Sequence, residues 1–384
     1  MARSRKLAIN RLRESKNLDH QTLERFVERH EFPVVEGTST TFVAWQQHAD
    51  EVFVRHRVVG IADPLPMRRI EGTDLFYVVV EIPRDSRVEY QIEKRQGDHW
   101  ERFNDPLNPR IARSPVGDSS VCYGLGYQVP DWAVYDPEAR PGELVELMIR
   151  SQAQRRDNRV TLYLPARFRT TTRYPLLVVH DGGDFLEYAS MKVVLDNLIH
   201  RLDMAEVVVA FTYPGDRLKE YPNSGPHARW ITKELVGQLE EQFPLIAHPT
   251  GRALMGSSFG AIASLSTAVR YPQTYGSLLV QSGSFVFTDI GALRGEDPAF
   301  DPVVKFMNRY RAKPIRVADR LFMSCGVYEP LIVFNRSMVP VFTETGMTVN
   351  YVESRDGHSW ESWRDRLRDG LSWIFPGESL FVYE

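Results

Sequence analysis

The 384-residue sequence predicts an α/β protein in which a doubly wound, mainly parallel sheet is preceded by a small all-β sandwich. Three observations predict it. From about Glu143 onward, short continuous apolar runs alternate with stretches of helical spacing, the pattern of strands covered on both faces by crossing helices. From about Thr41, short runs rich in Val, Phe and Tyr are separated instead by clusters of turn residues, which is the texture of an antiparallel sandwich. Finally, Gly256-Ser257-Ser258-Phe259-Gly260 follows a short apolar run and opens a helical pattern, so a very tight strand-to-helix turn lies inside the second texture.

A chain of this length exceeds a typical single core, and the change of texture divides it. We expect an N-terminal helical extension over 1–36, an immunoglobulin-like sandwich over 37–130 and an α/β catalytic domain over 131–384. In the extension, Leu18 to His30 places Leu23, Phe26 and Val27 on one helical face. The sandwich strands are read at Thr41–Trp45, Glu51–Val59, Leu75–Ile82 and Arg87–Lys94, and the proline-containing stretch Asn104–Pro109 ends regular pairing. In the catalytic domain, strands are read at Val160–Leu164, Tyr174–Val179, Glu206–Thr212, Arg252–Met255, Ser277–Gln281, Arg320–Cys325 and Thr348–Val352. Helices are read at Met191–Leu202, Ala228–Phe243 and Phe259–Arg270, with a last helix carrying the stripe Trp360, Trp363, Leu367, Leu371 and Ile374.

Composition excludes several function classes. A hydrophobic content of 43%, a charged content of 25% and a net charge of −3 describe an ordinary globular protein without a nucleic-acid footprint. No apolar run approaches the ~20 residues that span a bilayer. The basic start Met1-Ala2-Arg3-Ser4-Arg5-Lys6 is followed by Asn10, Arg11, Arg13, Glu14 and Lys16 rather than by an apolar core, so it does not read as a signal peptide. Cys122 and Cys325 fall in different predicted domains, which suggests free thiols in a reducing compartment, the cytoplasm. No metal or cofactor motif is present, and the expected partner is a small-molecule ester.

That partner follows from the pentapeptide. G-x-S-x-G is the nucleophile elbow, in which the serine oxygen is lifted clear of a strained turn whose flanking glycines avoid a Cβ clash. Ser258 is then the candidate nucleophile. A serine hydroxyl needs a base, and the base needs a partner that fixes its tautomer. On this fold the three come in the chain order Ser, acid, His. His358 ends the loop after Thr348–Val352 and precedes the last helix, so it lies at the carboxyl edge of a parallel strand, where ligands bind in open α/β sheets. For the acid, Glu329 follows Arg320–Cys325 and satisfies the order, while Asp356, two residues before His358, is the alternative acid. An oxyanion hole needs two N–H donors. One is Phe259, next to the nucleophile, and the other comes from the loop His180-Asp181-Gly182-Gly183-Asp184 after an early strand.

Three stretches resemble the esterase family that includes enterochelin esterase and, more distantly, feruloyl esterases and mycolyltransferases. They are the elbow with Gln281-Ser282-Gly283-Ser284, the run Gly326-Val327-Tyr328-Glu329-Pro330-Leu331 with Asn335-Arg336, and Asp356-Gly357-His358 with Trp363. Arg217-Leu218-Lys219-Glu220 followed by Pro222-Asn223 is similar to the enterochelin esterase branch, which also carries an N-terminal immunoglobulin-like domain before its α/β-hydrolase domain. The resemblance implies the catalytic set Ser258, Glu329 and His358, with Gly183 as the second oxyanion donor. It further implies hydrolysis of the serine ester links of an anionic, ferric catecholate siderophore, releasing iron, with Arg217, Tyr221 and Trp363 as substrate-binding candidates. A general carboxylesterase, an acyltransferase and a non-catalytic glycan-binding protein are the competing readings.

Overall fold

Alternate residues of the same strands feed two different cores, and this makes the larger sheet the middle of three layers. The computed structural model describes residues 6–288 and 298–377. Its larger sheet has eight strands: β1 (Glu143–Ser151), β2 (Arg156–Leu164), β3 (Leu176–Val179), β4 (Val208–Thr212), β5 (Arg252–Ser257), β6 (Ser277–Gln281), β7 (Arg320–Gly326) and β8 (Thr348–Ser354). The spatial order is β1-β2-β4-β3-β5-β6-β7-β8. β2 is antiparallel to both of its neighbours, and every pairing from β4 to β8 is parallel. Leu176, Val178, Leu254, Leu278, Val280 and Met323 point into one core, while Leu177, Val179, Met255, Leu279 and Phe322 point into the other, as the two-residue period of a strand requires. Helix Phe259–Arg270 covers the first face through Ala261, Ile262 and Leu265, and helices Met191–His200 and Leu367–Ile374 cover the second through Val194, Leu198, Leu367 and Leu371.

The strand order reverses at β3, which has β4 on one side and β5 on the other. A crevice opens at the carboxyl ends of strands at such a switch point because the two crossover helices leave on opposite faces. The elbow follows β5, and the glycine loop follows β3. The fold therefore delivers both to the same place.

Contacts divide the chain into two compact units. One comprises Met1–Gln128 with Val327–Glu329 and Arg355–Ser359, and the other comprises Val129–Gly326, Pro330–Ser354 and Trp360–Glu384. In the first, two antiparallel sheets enclose a core of Phe42, Val52, Val54, Phe76, Tyr90, Ile92 and Cys122. Helices Ala8–Arg13 and His20–Glu28 pack Ile9, Leu12, Leu23 and Phe26 against Val43, Leu75 and Tyr77. Cys122 and Cys325 are both buried, one in each unit, and are not joined by a disulfide.

Several elements depart from the sequence reading. The helix expected over Ala228–Phe243 is three segments, Gly225–Arg229, a wide π turn over Trp230–Leu235 and Val236–Gln242. The last helix breaks between Arg364 and Leu367. Helices Asp301–Ala312 and Ile332–Glu344 and strands β1, His99–Phe103 and Ser119–Tyr123 were not expected.

Candidate active site

Ser258 stands between the end of β5 and the first residue of helix Phe259–Arg270, at φ 55° and ψ −120°. A non-glycine residue there is strained by about 1–3 kcal/mol and persists only where its surroundings over-determine it. Here they do. The Ser258 N–H donates to the Gln281 carbonyl (2.9 Å), and its own carbonyl accepts from the N–H groups of Ala261 and Ser284 (both 3.2 Å). A Cβ on Gly256 would lie 2.3 Å from the Gly260 carbonyl oxygen, whereas one on Gly260 would meet nothing closer than 3.3 Å. Gly256 is thus the glycine on which the turn depends. Gly256→Ala is expected to lose about 3 kcal/mol or more of stability. Chemical denaturation measures this, and an unchanged midpoint would contradict so tight a turn.

Two groups face the serine from its own unit. Its Oγ lies 3.2 Å from the Ser284 Oγ. Phe259 begins the helix, and first-turn N–H groups have no acceptor within their own helix. The loop bearing Ser284 is held by Asn335, which accepts from the Gly283 N–H (3.1 Å) and donates to its carbonyl (2.9 Å). It is held also by Trp363, whose indole N–H donates to Ser282 Oγ (2.9 Å).

The glycine loop after β3 is fixed from three directions. Asp181 has φ 54° and caps helix Gly182–Glu187. A Cβ on Gly182 would lie 2.5 Å from the Phe211 Cα, so that position excludes a side chain, and one on Gly183 would lie 2.4 Å from the Tyr213 ring, which would have to move. Arg217 donates through its Nε and Nη2 to the two oxygens of Asp181 at 2.8–3.0 Å, the bidentate geometry that makes such pairs strong. Tyr221 accepts from the Asp181 N–H (2.9 Å). His180, fully buried, lies 3.1 Å through Nδ1 from the Met255 carbonyl and 3.0 Å through Nε2 from His227. Burial first and the neighbouring His227 second push its pKa down to about 3. The imidazole is therefore neutral at ordinary pH, so it donates to β5 and accepts from His227.

The two remaining candidates lie on loops that leave the carboxyl ends of β7 and β8. His358 donates from Nδ1 to Glu329 Oε2 at 2.5 Å, with side-chain exposures of 34% and 1% respectively. Asp356, the rival acid, accepts instead from the Gly357 N–H (2.7 Å) and from Arg87 Nη1 (3.2 Å). A buried carboxylate on His Nδ1 leaves Nε2 as the basic nitrogen, the tautomer a general base needs.

Of the side chains expected at the mouth of the site, Arg217 keeps about a third of its surface exposed, 36%, while paired with Asp181. Tyr221 has no exposed surface, and Trp363 is 6% exposed. Both lie within the cores, where their polar atoms hold backbone or neighbouring side chains rather than a ligand. Arg87, fully buried among the loops near His358, was not singled out, because an arginine at the head of a strand ordinarily reads as solvated. Among the described residues no three His, Cys, Asp or Glu side chains are grouped to hold a metal ion, and no helix is long and apolar enough to cross a membrane.

Residues 151–374 match the model of the Esterase family, described as "Putative esterase". The chain belongs to the Esterase family. The esterase is 23% identical over 354 residues to the iron(III) enterobactin esterase of Dickeya dadantii, covering 82% of this chain and 80% of the relative. It is 22% identical over 353 residues to the iron(III) enterobactin esterase of Escherichia coli K12, covering 82% and 84%. In fold, the esterase is similar to the ferric enterobactin esterase of Salmonella typhimurium, with a TM-score of 0.72 at 20% identity over 88% of this chain and 93% of the other. The enterobactin esterase of Shigella flexneri, solved in the presence of enterobactin, gives a TM-score of 0.71 at 20% identity over 88% and 92%.

Proposed function

We propose that this ester hydrolase is a serine esterase that opens the ester links of a catecholate siderophore such as enterobactin (enterochelin) through an acyl-enzyme on Ser258. The observation that carries the mechanism is the strained Ser258 on the elbow, with a hydrogen-bonded His358–Glu329 pair on loops following neighbouring strands of the same sheet. Ser258 Oγ attacks the ester carbonyl carbon while His358 Nε2 takes its proton, and Glu329 holds the imidazole and balances the cation. The N–H groups of Phe259 and Gly183 receive the oxyanion, each worth ~10²–10³ in rate. Collapse expels the alcohol, which His358 protonates. Water activated by the same histidine then attacks the acyl-serine and releases the acid.

The substrate assignment is supported by the names of the relatives; Arg217, the expected substrate-binding cation, is partly exposed, but its charge is met by Asp181. Two buried cysteines that are not joined in a disulfide suit a reducing interior such as the cytoplasm. Incubation with ferric and with iron-free enterobactin, followed by chromatography, tests the substrate. Linear and monomeric acyl-serine fragments are expected, and cleavage of neither form would overturn the siderophore reading in favour of another ester.

A further inference from the structure

Ser86 and Arg87 touch both loops that carry the proposed acid and base. Arg87 opens strand Arg87–Gln96 of the first unit and is 1% exposed. Its main-chain N–H donates to the Arg355 carbonyl (2.9 Å). Its Nη1 donates to Asp356 Oδ1 (3.2 Å) and Ser359 Oγ (3.0 Å), and its Nη2 to Glu89 Oε1 (2.9 Å). The chain is thus gripped at residues 355 and 356 before His358 and at residue 359 after it. Glu329 is approached in the same way through the residue preceding it. The Tyr328 hydroxyl shares a 2.6 Å hydrogen bond with Ser86 Oγ, the Tyr328 carbonyl accepts from the Val59 N–H (2.8 Å), and the Tyr328 N–H donates to the Asp356 carbonyl (3.1 Å).

We propose that Arg87, assisted by Ser86, is a positioning residue that sets the geometry of the Glu329–His358 pair. The inference rests on the reading of His358 as the base. A buried guanidinium is costly unless every direction of its fork is met, and an apolar side chain of like volume would fill the space more cheaply. Here Nη1 meets both flanks of one histidine, Asp356 before it and Ser359 after it, while Nη2 is met by Glu89. That arrangement fixes where the imidazole stands, and displacement of a catalytic group by ~1 Å costs ~10²-fold in rate. The sandwich strand therefore acts on catalysis itself, with no contact to substrate required.

Kinetics with p-nitrophenyl acetate, a small neutral ester that offers no charge for Arg87 to bind, test the proposal. Arg87→Met is expected to lower kcat by ~10²-fold with KM within about twofold of wild type, since the loss falls on the transition state. Arg87→Lys keeps the charge without the fork and should recover part of that loss. Ser86→Ala, which removes the Tyr328 link alone, should lower kcat by roughly threefold to tenfold. Thermal unfolding establishes that each variant is folded. Should Arg87→Met fail to fold, Arg87→Lys and Ser86→Ala decide. Wild-type kcat in the folded variants, or a raised KM at unchanged kcat, would overturn the proposal. Labelling of the wild type with a serine-directed fluorophosphonate separates this failure from that of the serine mechanism. A labelled wild type beside a fully active Arg87→Met sinks only the positioning role, whereas an unlabelled wild type sinks the mechanism.

Discussion

Replacing Ser258 with alanine should reduce hydrolysis of a p-nitrophenyl acyl ester on the order of 10⁶-fold in kcat, because the proposed nucleophile is removed. Thermal stability should barely change. Alanine tolerates the positive φ of this turn no better and no worse than serine does, and the backbone bonds from the Ser258 N–H to Gln281 and from Ala261 and Ser284 to its carbonyl need no side chain. The hydroxyl lost is only half-buried, and its contact with Ser284 Oγ joins two groups of the same kind. A calorimetric scan beside the rate measurement therefore separates chemistry from folding. Turnover retained in a folded Ser258→Ala protein would remove the serine mechanism.

The second large effect discriminates between two carboxylates. Glu329→Gln should lower kcat by ~10⁴-fold, since an amide on Nδ1 stabilises the wrong tautomer and cannot balance the imidazolium. Asp356→Asn should lower it by roughly tenfold, because Asp356 meets Arg87 and the Gly357 N–H rather than the His358 ring. Both side chains are buried, so each loss should also appear as a modest drop in stability. The order of the two activity losses is the informative quantity. Its reversal would move the role of acid to Asp356.

The middle of the larger sheet was legible because its strands are short, fully buried and mainly apolar runs. Leu176–Val179, Val208–Thr212 and Ser277–Gln281 are buried at every position, and such runs between helical stretches allow few other readings. The edge strand Glu143–Ser151 was not, since most of its residues are exposed or half-buried and it carries Glu143, Glu146 and Arg150. Helix Ile332–Glu344 was hidden by Pro340, which lacks an N–H for the Arg336 carbonyl and so reads as a break. The stripe from Trp360 to Ile374 had helical spacing, yet the helix itself breaks between Arg364 and Leu367.

The candidate site was legible where one chemistry demands one residue type. A nucleophile elbow needs Ser258 between glycines, while order along the chain admits both Glu329 and Asp356 ahead of His358, and it is the geometry that sets Glu329 against the imidazole. It was less so where a side chain has two common uses. Tyr221 and Arg217 belong to one short sequence motif, but the tyrosine is buried beneath the Asp181 loop as an acceptor and the arginine is its ion pair. Arg87 is the sharpest case. Nothing in the sequence near it announces that residues 355–359, more than 250 positions away, will use it as their anchor; that contact is a product of tertiary structure alone.

If Ser258 is the nucleophile, the acyl group of each substrate passes through its Oγ. Mixing the protein with excess p-nitrophenyl acetate, quenching in acid within milliseconds and mapping the peptides by mass spectrometry tests it most directly. One acetyl group is expected on the peptide containing Ser258, absent from Ser258→Ala and slower to appear in Glu329→Gln. Continued turnover with no acetyl group on Ser258, or with the acetyl group on another residue, would contradict it.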